Sequence, residues 1–407
     1  MPLDSFFSAL LLQSGYNAAL VTVGAALLGI AAGSGGAFLF LRKRALVSDA
    51  VAHATLPGVG IAFMLMVAFG GDGRNLPGLL IGSALSAGLG LLAVEWISRR
   101  TRLAEDAAIG AVLSVFFGFG IVLLTIIQAM SRGKQAGLES FLLGSTAGML
   151  FQDAIIIAIG GACAIAALVV LRRPMTLVAF DPEYAGASGI SVRTIDLAMM
   201  GLVLAVTVIG LKIVGLILIV AMLIIPSVTA RFWTDRTGRL VAIAGVIGGV
   251  SAYVGAALSA SAPNLPTGPI IVLVCFALFM TSLLLAPSRG VMASLLRHRR
   301  FQVQVHRRQG LLALAHGEVI LDPLTLSVLR RDGLIRADGV ATDLGKAQGA
   351  KVLRDERRWQ LARQFHQDEA VSGRYDGLTP IEAVLTQDEI AEIDRRIGGP
   401  VPVGGGA

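Results

Sequence analysis

The sequence predicts an all-α polytopic membrane protein of about nine transmembrane helices, followed by a small cytoplasmic α/β domain. Three observations carry this. The 407 residues are 55% hydrophobic and only 15% charged, against about 25% charged in a soluble domain, and the mean hydropathy is +0.76. Nine apolar runs approach the roughly 20 residues that a spanning helix needs. The charge is also uneven: residues 1–287 hold 16 Lys/Arg and 12 Asp/Glu, whereas residues 288–407 hold 18 and 15.

Residues 1–16 lack a basic n-region and read as a surface lead-in, not as a cleaved signal. Residues 17–287 form the transmembrane domain, with spans expected at 17–41, 46–69, 77–97, 107–130, 152–171, 194–212, 214–232, 239–261 and 268–286. The sixth and seventh meet at GLKIVG (210–215) with almost no loop. LESFLLGSTAGML (138–150) is too short to span and suits a segment that re-enters the membrane against protein. One set of loops carries RKR (42–44), RRTR (99–102), RR (172–173) and RFWTDRTGR (231–239), and the other, the 210–215 join with Lys212 aside, only Arg74, Arg132 and Lys134. By the positive-inside rule the first set is cytoplasmic. The N-terminus then lies outside and the C-terminus inside, as nine crossings require. Cys163 and Cys275 sit in separate apolar runs and read as small core residues, with no disulfide framework.

The second span opens SDAVAHATLPG (48–58), and a charge in such a run is expensive. Asp49 and His53 are four residues apart, one turn apart on one helix face. A carboxylate oxygen and an imidazole nitrogen so placed can share one divalent cation, with a donor set that suits Mn²⁺, Fe²⁺ or Zn²⁺. The spacing equally fits a helix-stabilising Asp–His pair, or Asp49 capping the helix start. Counted along an unbroken helix, Asp49 lies near the inner surface. Pro57 and Gly58, with glycines 33–36 of the first span, permit broken helices that would bring the pair deeper. Pro226 suggests a kink that would hinge the seventh span. Glu95, Glu139, Asp153 and Asp196 lie near span ends, where most acidic residues are solvated or capping. Glu139 and Asp153 fall on the outer side and would draw cations to the entrance.

Two stretches carry a family resemblance: RKRALVSDAVAHATLPGVGIAFML (42–65) and FDPEYAGASGISVRTIDLAMMGLVLAVTVIGLKIVGLILIVAMLIIPSVTARFW (180–233). Over about residues 15–287 the chain resembles the ABC-3 permease subunits of manganese, zinc and iron ABC importers. The resemblance implies the type II importer fold of the vitamin B12 permease. It implies a dimer with a second copy or a sibling permease, two cytoplasmic ABC ATPase subunits that use the ATP, and a metal-binding periplasmic protein or lipoprotein. Asp49 and His53 match the family's metal-coordinating SDxxxH motif. DPEYAGASGI, a short helix that Asp181 or Pro182 starts and Gly189 ends, matches the helix that docks into the ATPase. Glu183, Ala185 and Gly189 fall at its acidic, small and glycine positions. The chain is then a transporter and not an enzyme, with no permanently bound cofactor. The nearest approach to a phosphate loop, GVATDLGKA (339–347), has five residues between glycines and Ala in place of Ser/Thr. An intramembrane enzyme would need HExxH or paired aspartates, and neither occurs.

The remainder divides into a basic juxtamembrane linker (288–300), a cytoplasmic domain (301–397) and a disordered tail (398–407). Two helices, a tight turn with a small strand hairpin and a long helix resemble a winged helix-turn-helix of the diphtheria toxin repressor type, with TDLGKAQGAKVLRDERRWQL (342–361) carrying the likeness. The chain departs from that pattern where metal ligands belong, with Glu356 and Gln360 in their places. A membrane-anchored regulator would need a basic recognition helix, and DPLTLSVLRRDGLIR offers only Arg330, Arg331 and Arg336. Nucleic acid is therefore not expected, and RHRRFQVQVHRR reads as an anchor against anionic lipid. The domain reads as a degenerate winged-helix module that packs on the ATPase or the partner permease. The repressor-like tail leans toward manganese as the transported ion, with zinc or iron as the alternatives.

Overall fold

The computed structural model describes residues 3–71, 73, 75–130, 151–211, 215–262, 265–365 and 375–398. The chain divides into two compact units, Met1–Ala293 and Ser294–Ala407. The first holds α1 (Leu3–Leu10), α2 (Tyr16–Leu41), α3 (Leu46–Ala68), α4 (Leu76–Arg100), α5 (Glu105–Ala129), α6 (Phe151–Phe180), α7 (Pro182–Ala187), α8 (Val192–Gly210), α9 (Leu216–Arg231), α10 (Thr237–Ala260) and α11 (Thr267–Leu285).

Among the described residues, eight of these helices are long and apolar enough to cross a membrane, not nine. The seventh expected span, 214–232, forms the shorter α9. The chain turns at Gly215, whose φ of +84° is a left-handed value open to glycine, and the helix begins only at Leu216. Its 16 residues reach about 24 Å, short of the roughly 30 Å hydrocarbon core. Protein covers it instead: Ile219, Met222 and Leu223 are buried with Leu28 and Ala32 of α2 and Ile271 of α11. The fifth span differs in the other direction. α6 continues through Pro174 to Phe180, so Arg172 and Arg173 are helical and not in a loop.

Packing gathers one end of the bundle. Ala37 and Leu41 near the end of α2 pack with Ala230 near the end of α9 and Leu240 at the start of α10. The Trp233 indole N–H donates to Ser282 of α11 at 3.0 Å. At the opposite end of α10 the Tyr253 hydroxyl donates to the Leu10 carbonyl of α1 at 2.5 Å.

Neither proline–glycine feature breaks a helix. α3 is continuous through Pro57 and Gly58, and α9 through Pro226. Gly58 works as a contact point: a methyl there would collide with the Gly82 carbonyl of α4. The 33–36 glycines likewise leave α2 unbroken. A methyl on Gly33 would strike the Ala244 carbonyl, and one on Gly248 that of Gly29, so α2 and α10 meet backbone to backbone.

The second unit holds most of α12 (Val291–His316), then α13 (Pro323–Arg331), α14 (Asp343–Phe365), a 3₁₀ turn at Ile381–Ala383 and α15 (Gln387–Gly398). From Val291 the expected linker is helix. The expected strand hairpin is reduced to one antiparallel bridge, Ile335 with Ala341. α13 ends at Arg331 and α14 begins at Asp343, so beyond the Thr342 N–H to Leu334 carbonyl bond no extended chain is left to lengthen a ladder. The described residues of this unit contain no strand, so it is helical and not α/β. Leu311, Leu329, Leu334 and Ile335 form one small core. Trp359, Ala362, Ile381, Leu385, Ile390 and Ile393 form another.

Candidate functional site

Asp49 and His53 lie in the first half of α3, about 4.5 and 10.5 Å along the axis from Leu46. The flanking residues Val47, Ser48, Ala50, Val51, Ala52 and Ala54 are buried. Val47, Ala50, Val51 and Ala54 pack on Ala87 and Leu91 of α4, Ile109 and Val112 of α5 and Met200 of α8. This packing fixes the roll of the helix and turns Asp49 and His53 onto a half-open face. The Asp49 side chain is 39% exposed and that of His53 19%.

His53 Nε2 stands 3.3 Å from Asp49 Oδ1. Two atoms that ligate one ion at about 2.0–2.2 Å in adjacent positions stand about 3–3.5 Å apart, so the pair is already near the spacing a shared cation requires. The ring meets Phe117 of α5 edge-on, with centroids 5.0 Å apart and planes at 84°. Its Nδ1 is buried and has no hydrogen-bond partner among the described residues. Packing against Phe117, rather than a second hydrogen bond, therefore orients the imidazole. No group of three or more His, Cys, Asp or Glu side chains clusters for a metal among the described residues. Among the described residues, Asp49 and His53 therefore stand as a pair of side-chain donors and not as part of a larger cluster.

Of the residues expected at the entrance, Glu139 lies outside the described residues, as does the side chain of Asp153, whose backbone sits in the first turn of α6. Glu95 and Asp196 are not solvated. They are 7% and 4% exposed and each is held by arginine. Arg99 donates to Glu95. Arg42 donates to Asp196 through Nε and Nη2, at 3.0 and 2.7 Å. Arg44 Nη1 lies 3.4 Å from Asp196 Oδ2, and Arg44 Nε lies 2.9 Å from Glu105 Oε1. This cluster joins the α2–α3 turn to the starts of α5 and α8. Sequence reasoning passed over it, because charges near a helix end look solvated until packing shows what covers them.

The 180–190 segment folds as α7. Asp181 is its N-cap, accepting from the Tyr184 N–H at 2.9 Å. Gly189 ends it with φ +81°. The Ile190 N–H donates to the Ala185 carbonyl and the Gly189 N–H to that of Gly186, a Schellman closure. Ala185 is fully buried, packed with Phe38, Met175 and Val178, so its small side chain serves the chain's own core. Tyr184, 60% exposed, is the projecting residue, beside exposed Glu183.

In the second unit Glu356 accepts from Arg308 at 2.5 Å and from the Tyr375 hydroxyl at 2.8 Å. Burial first, then Glu356, pushes the Tyr375 phenol above its usual range. Arginine thus occupies Glu356 where a repressor would bind metal, and Gln360 is exposed.

Comparison with known proteins agrees with this architecture. The chain is 43% identical over 309 residues to the manganese transport system membrane protein MntC of Bacillus subtilis, covering 76% of this chain and 70% of that one. It is 39% identical over 290 residues to the zinc transport system membrane protein TroC of Treponema pallidum, covering 71% and 95%. Among solved structures it is similar to PsaBC from Streptococcus pneumoniae in complex with Fab, with 28% identity, a TM-score of 0.60, and coverage of 71% of this chain and 98% of that one. Residues 16–286 match the ABC 3 transport family, and the chain is a membrane permease belonging to that family.

Proposed function

We propose that this chain is the membrane-spanning permease of an ATP-driven importer for a divalent transition metal, manganese first, with zinc or iron as the alternatives. The observation that carries the reading is the Asp49–His53 pair, 3.3 Å apart on a half-open face of a spanning helix. An oxygen and a nitrogen donor suit a first-row divalent ion. The relatives named for manganese and zinc transport support the substrate class. With only two donors per chain, the ion completes its shell with water, carbonyls or a second permease, and so is passed on. Glu139 and Asp153 attract cations at the outer entrance, and Pro226 gives α9 a point of flexure. Pro57 and Gly58 leave α3 straight enough to keep the pair in register.

The arginine-rich end of the bundle faces the cytoplasm, with the N-terminus outside and the second unit inside, the short α9 making the ninth crossing under the cover of α2 and α11. A separate ATPase subunit hydrolyses ATP and docks on α7 through Glu183 and Tyr184, while Asp181, Ala185 and Gly189 hold that helix in shape. A metal-binding periplasmic protein or lipoprotein delivers the ion to a dimer of permeases, identical or sibling. The second unit is a degenerate winged-helix module that packs on the assembly and does not bind nucleic acid.

The test is uptake of radioactive manganese and zinc, side by side, by cells expressing the whole transporter with Asp49→Ala or His53→Ala. Loss of uptake in both variants, each still reaching the membrane, supports the pair as path ligands, and the preferred ion names the cargo. Normal uptake in both would make the pair structural and overturn the reading.

A further inference from the structure

The exposed face of α4 is a stripe of Ile81, Leu85, Leu89 and Leu92, each more than half exposed. Spacings of four, four and three residues keep them on one side of the helix. In a membrane protein such a stripe faces acyl chains. It runs into a cavity of about 600 Å³ whose walls include Leu92 and Trp96 and whose polar lining is Glu95, Arg99, Arg100 and Arg193. Trp96 is 64% exposed, four residues before the end of α4 at Arg100, and tryptophan is enriched at membrane interfaces.

The charges of this cavity are not balanced. Buried Glu95 is matched by Arg99. Arg100, at the end of α4, and Arg193, in the first turn of α8, are exposed and make no ion pair or hydrogen bond among the described residues. Arg42, Arg44, Arg231 and Arg289 of the same unit are paired; other arginines of the unit, Arg102 among them, show no partner among the described residues either, and Arg100 and Arg193 are set apart by lining one cavity. Two unpaired guanidiniums beside a third, above an apolar track and next to an interfacial tryptophan, complement a phosphate that carries acyl chains.

We propose that this cavity is a binding site for an anionic glycerophospholipid. Arg100 and Arg193 hold the headgroup phosphate, Arg99 stays oriented by Glu95 at its rim, Trp96 lies at the glycerol level, and the chains follow the α4 stripe. The lipid then bridges the end of α4 to the start of α8, five residues beyond the end of α7.

The test is native mass spectrometry of the full-length permease, titrated in detergent with phosphatidylglycerol, with phosphatidylcholine, or with inorganic phosphate. Phosphatidylglycerol is expected to be retained at least about fivefold more tightly than phosphatidylcholine, with inorganic phosphate not retained. The Arg100→Gln/Arg193→Gln variant removes the preference, the corresponding double lysine variant keeps most of it, and Arg102→Gln, outside the cavity, leaves it unchanged. Should the double variant fold poorly, Arg193→Gln alone is expected to lose at least half of the preference. Equal retention of both lipids by the unaltered protein overturns the proposal, as does an undiminished preference in the glutamine variants. Retention of phosphate without lipid preference overturns it in favour of a soluble anion. Loss of ATPase co-purification with unchanged lipid retention overturns it in favour of a protein-docking surface.

Discussion

Arg42 grips Asp196 with two parallel hydrogen bonds, 3.0 and 2.7 Å long, across 154 residues of sequence. The carboxylate is almost fully buried, and Arg44 approaches its second oxygen at 3.4 Å. Asp196 lies seven residues beyond Gly189, and the two arginines lie just before Leu46. The cluster therefore ties the segment after α7 to the start of the helix that carries Asp49 and His53. The ionic cluster thus fixes the turn that leads into α3 against the start of α8.

Removing one partner of a buried ion pair leaves the other charge uncompensated, at a cost of about 3–5 kcal/mol. Asp196→Ala is expected to lower the melting temperature of the detergent-solubilised permease clearly. Asp196→Asn, which keeps one acceptor oxygen, should lower it less. Thermal unfolding followed by size-exclusion chromatography checks this, and equal melting of all three proteins would remove the cluster from any structural role.

Phe117 holds the His53 ring by an edge-to-face contact. Such contacts contribute about 0.5–1.5 kcal/mol. If His53 ligates the ion, Phe117→Ala raises the half-saturating manganese concentration for uptake roughly 2- to 12-fold, while the amount of permease in the membrane stays near normal. An unchanged half-saturation would show that the ring needs no such support.

Two substitutions within α7 should fail differently. Ala185→Leu forces three extra carbons into a fully buried position and costs roughly 1–3 kcal/mol of folding stability. Tyr184→Ala alters only an exposed side chain and should leave melting unchanged while reducing ATPase co-purification and uptake. Normal co-purification by the tyrosine variant would move the docking surface elsewhere.

Acid should loosen the second unit. The hydrogen bond from Arg358 holds the Asp394 carboxyl below its ordinary value of 3.8. Asp322 is lowered by bonds from Thr325, and Asp376 by the Thr379 and Leu378 N–H groups. A depressed carboxylate contributes stability that is complete above the unfolded value and is lost as pH falls through the folded one. Full-length protein with Trp96 and Trp233 replaced by Phe leaves Trp359, buried in this unit, as the single tryptophan. Its unfolding should be flat with pH down to about 5 and fall below about 4. Arg358→Gln should flatten the acid limb, and a limb of the same depth would exclude Asp394 as a contributor.

Much of the fold was legible because its signals are local. Apolar runs placed the spanning helices of the first unit, and the aspartate before Pro182 with the glycine at 189 bounded α7. The Asp49–His53 spacing put both on one face, but only packing against α4, α5 and α8 fixed which way that face turns. What escaped the sequence depended on distant partners. Pro57 and Gly58 permit a broken helix by sequence, and only the fold shows α3 continuous there with the Gly82 carbonyl against Gly58. Glu95 and Asp196 looked solvated until arginines were found on them. Ala185 reads as the small position of a docking helix, and its burial on Phe38 and Val178 is visible only in the assembled core. The hairpin at 335–341 read as strand from its turn, yet a turn does not determine how far a ladder extends.

The shortness of α9 bears on how the chain enters the bilayer during synthesis. A 16-residue segment partitions poorly by itself, since insertion selects stretches of about 20. Its residues Ile219, Met222 and Leu223 find their apolar surroundings in α2 and α11, more than 170 residues before and roughly 50 residues after them. Its insertion is therefore expected to depend on α11 having been made. Truncation before residue 267 should leave this one crossing unmade while the earlier helices insert normally.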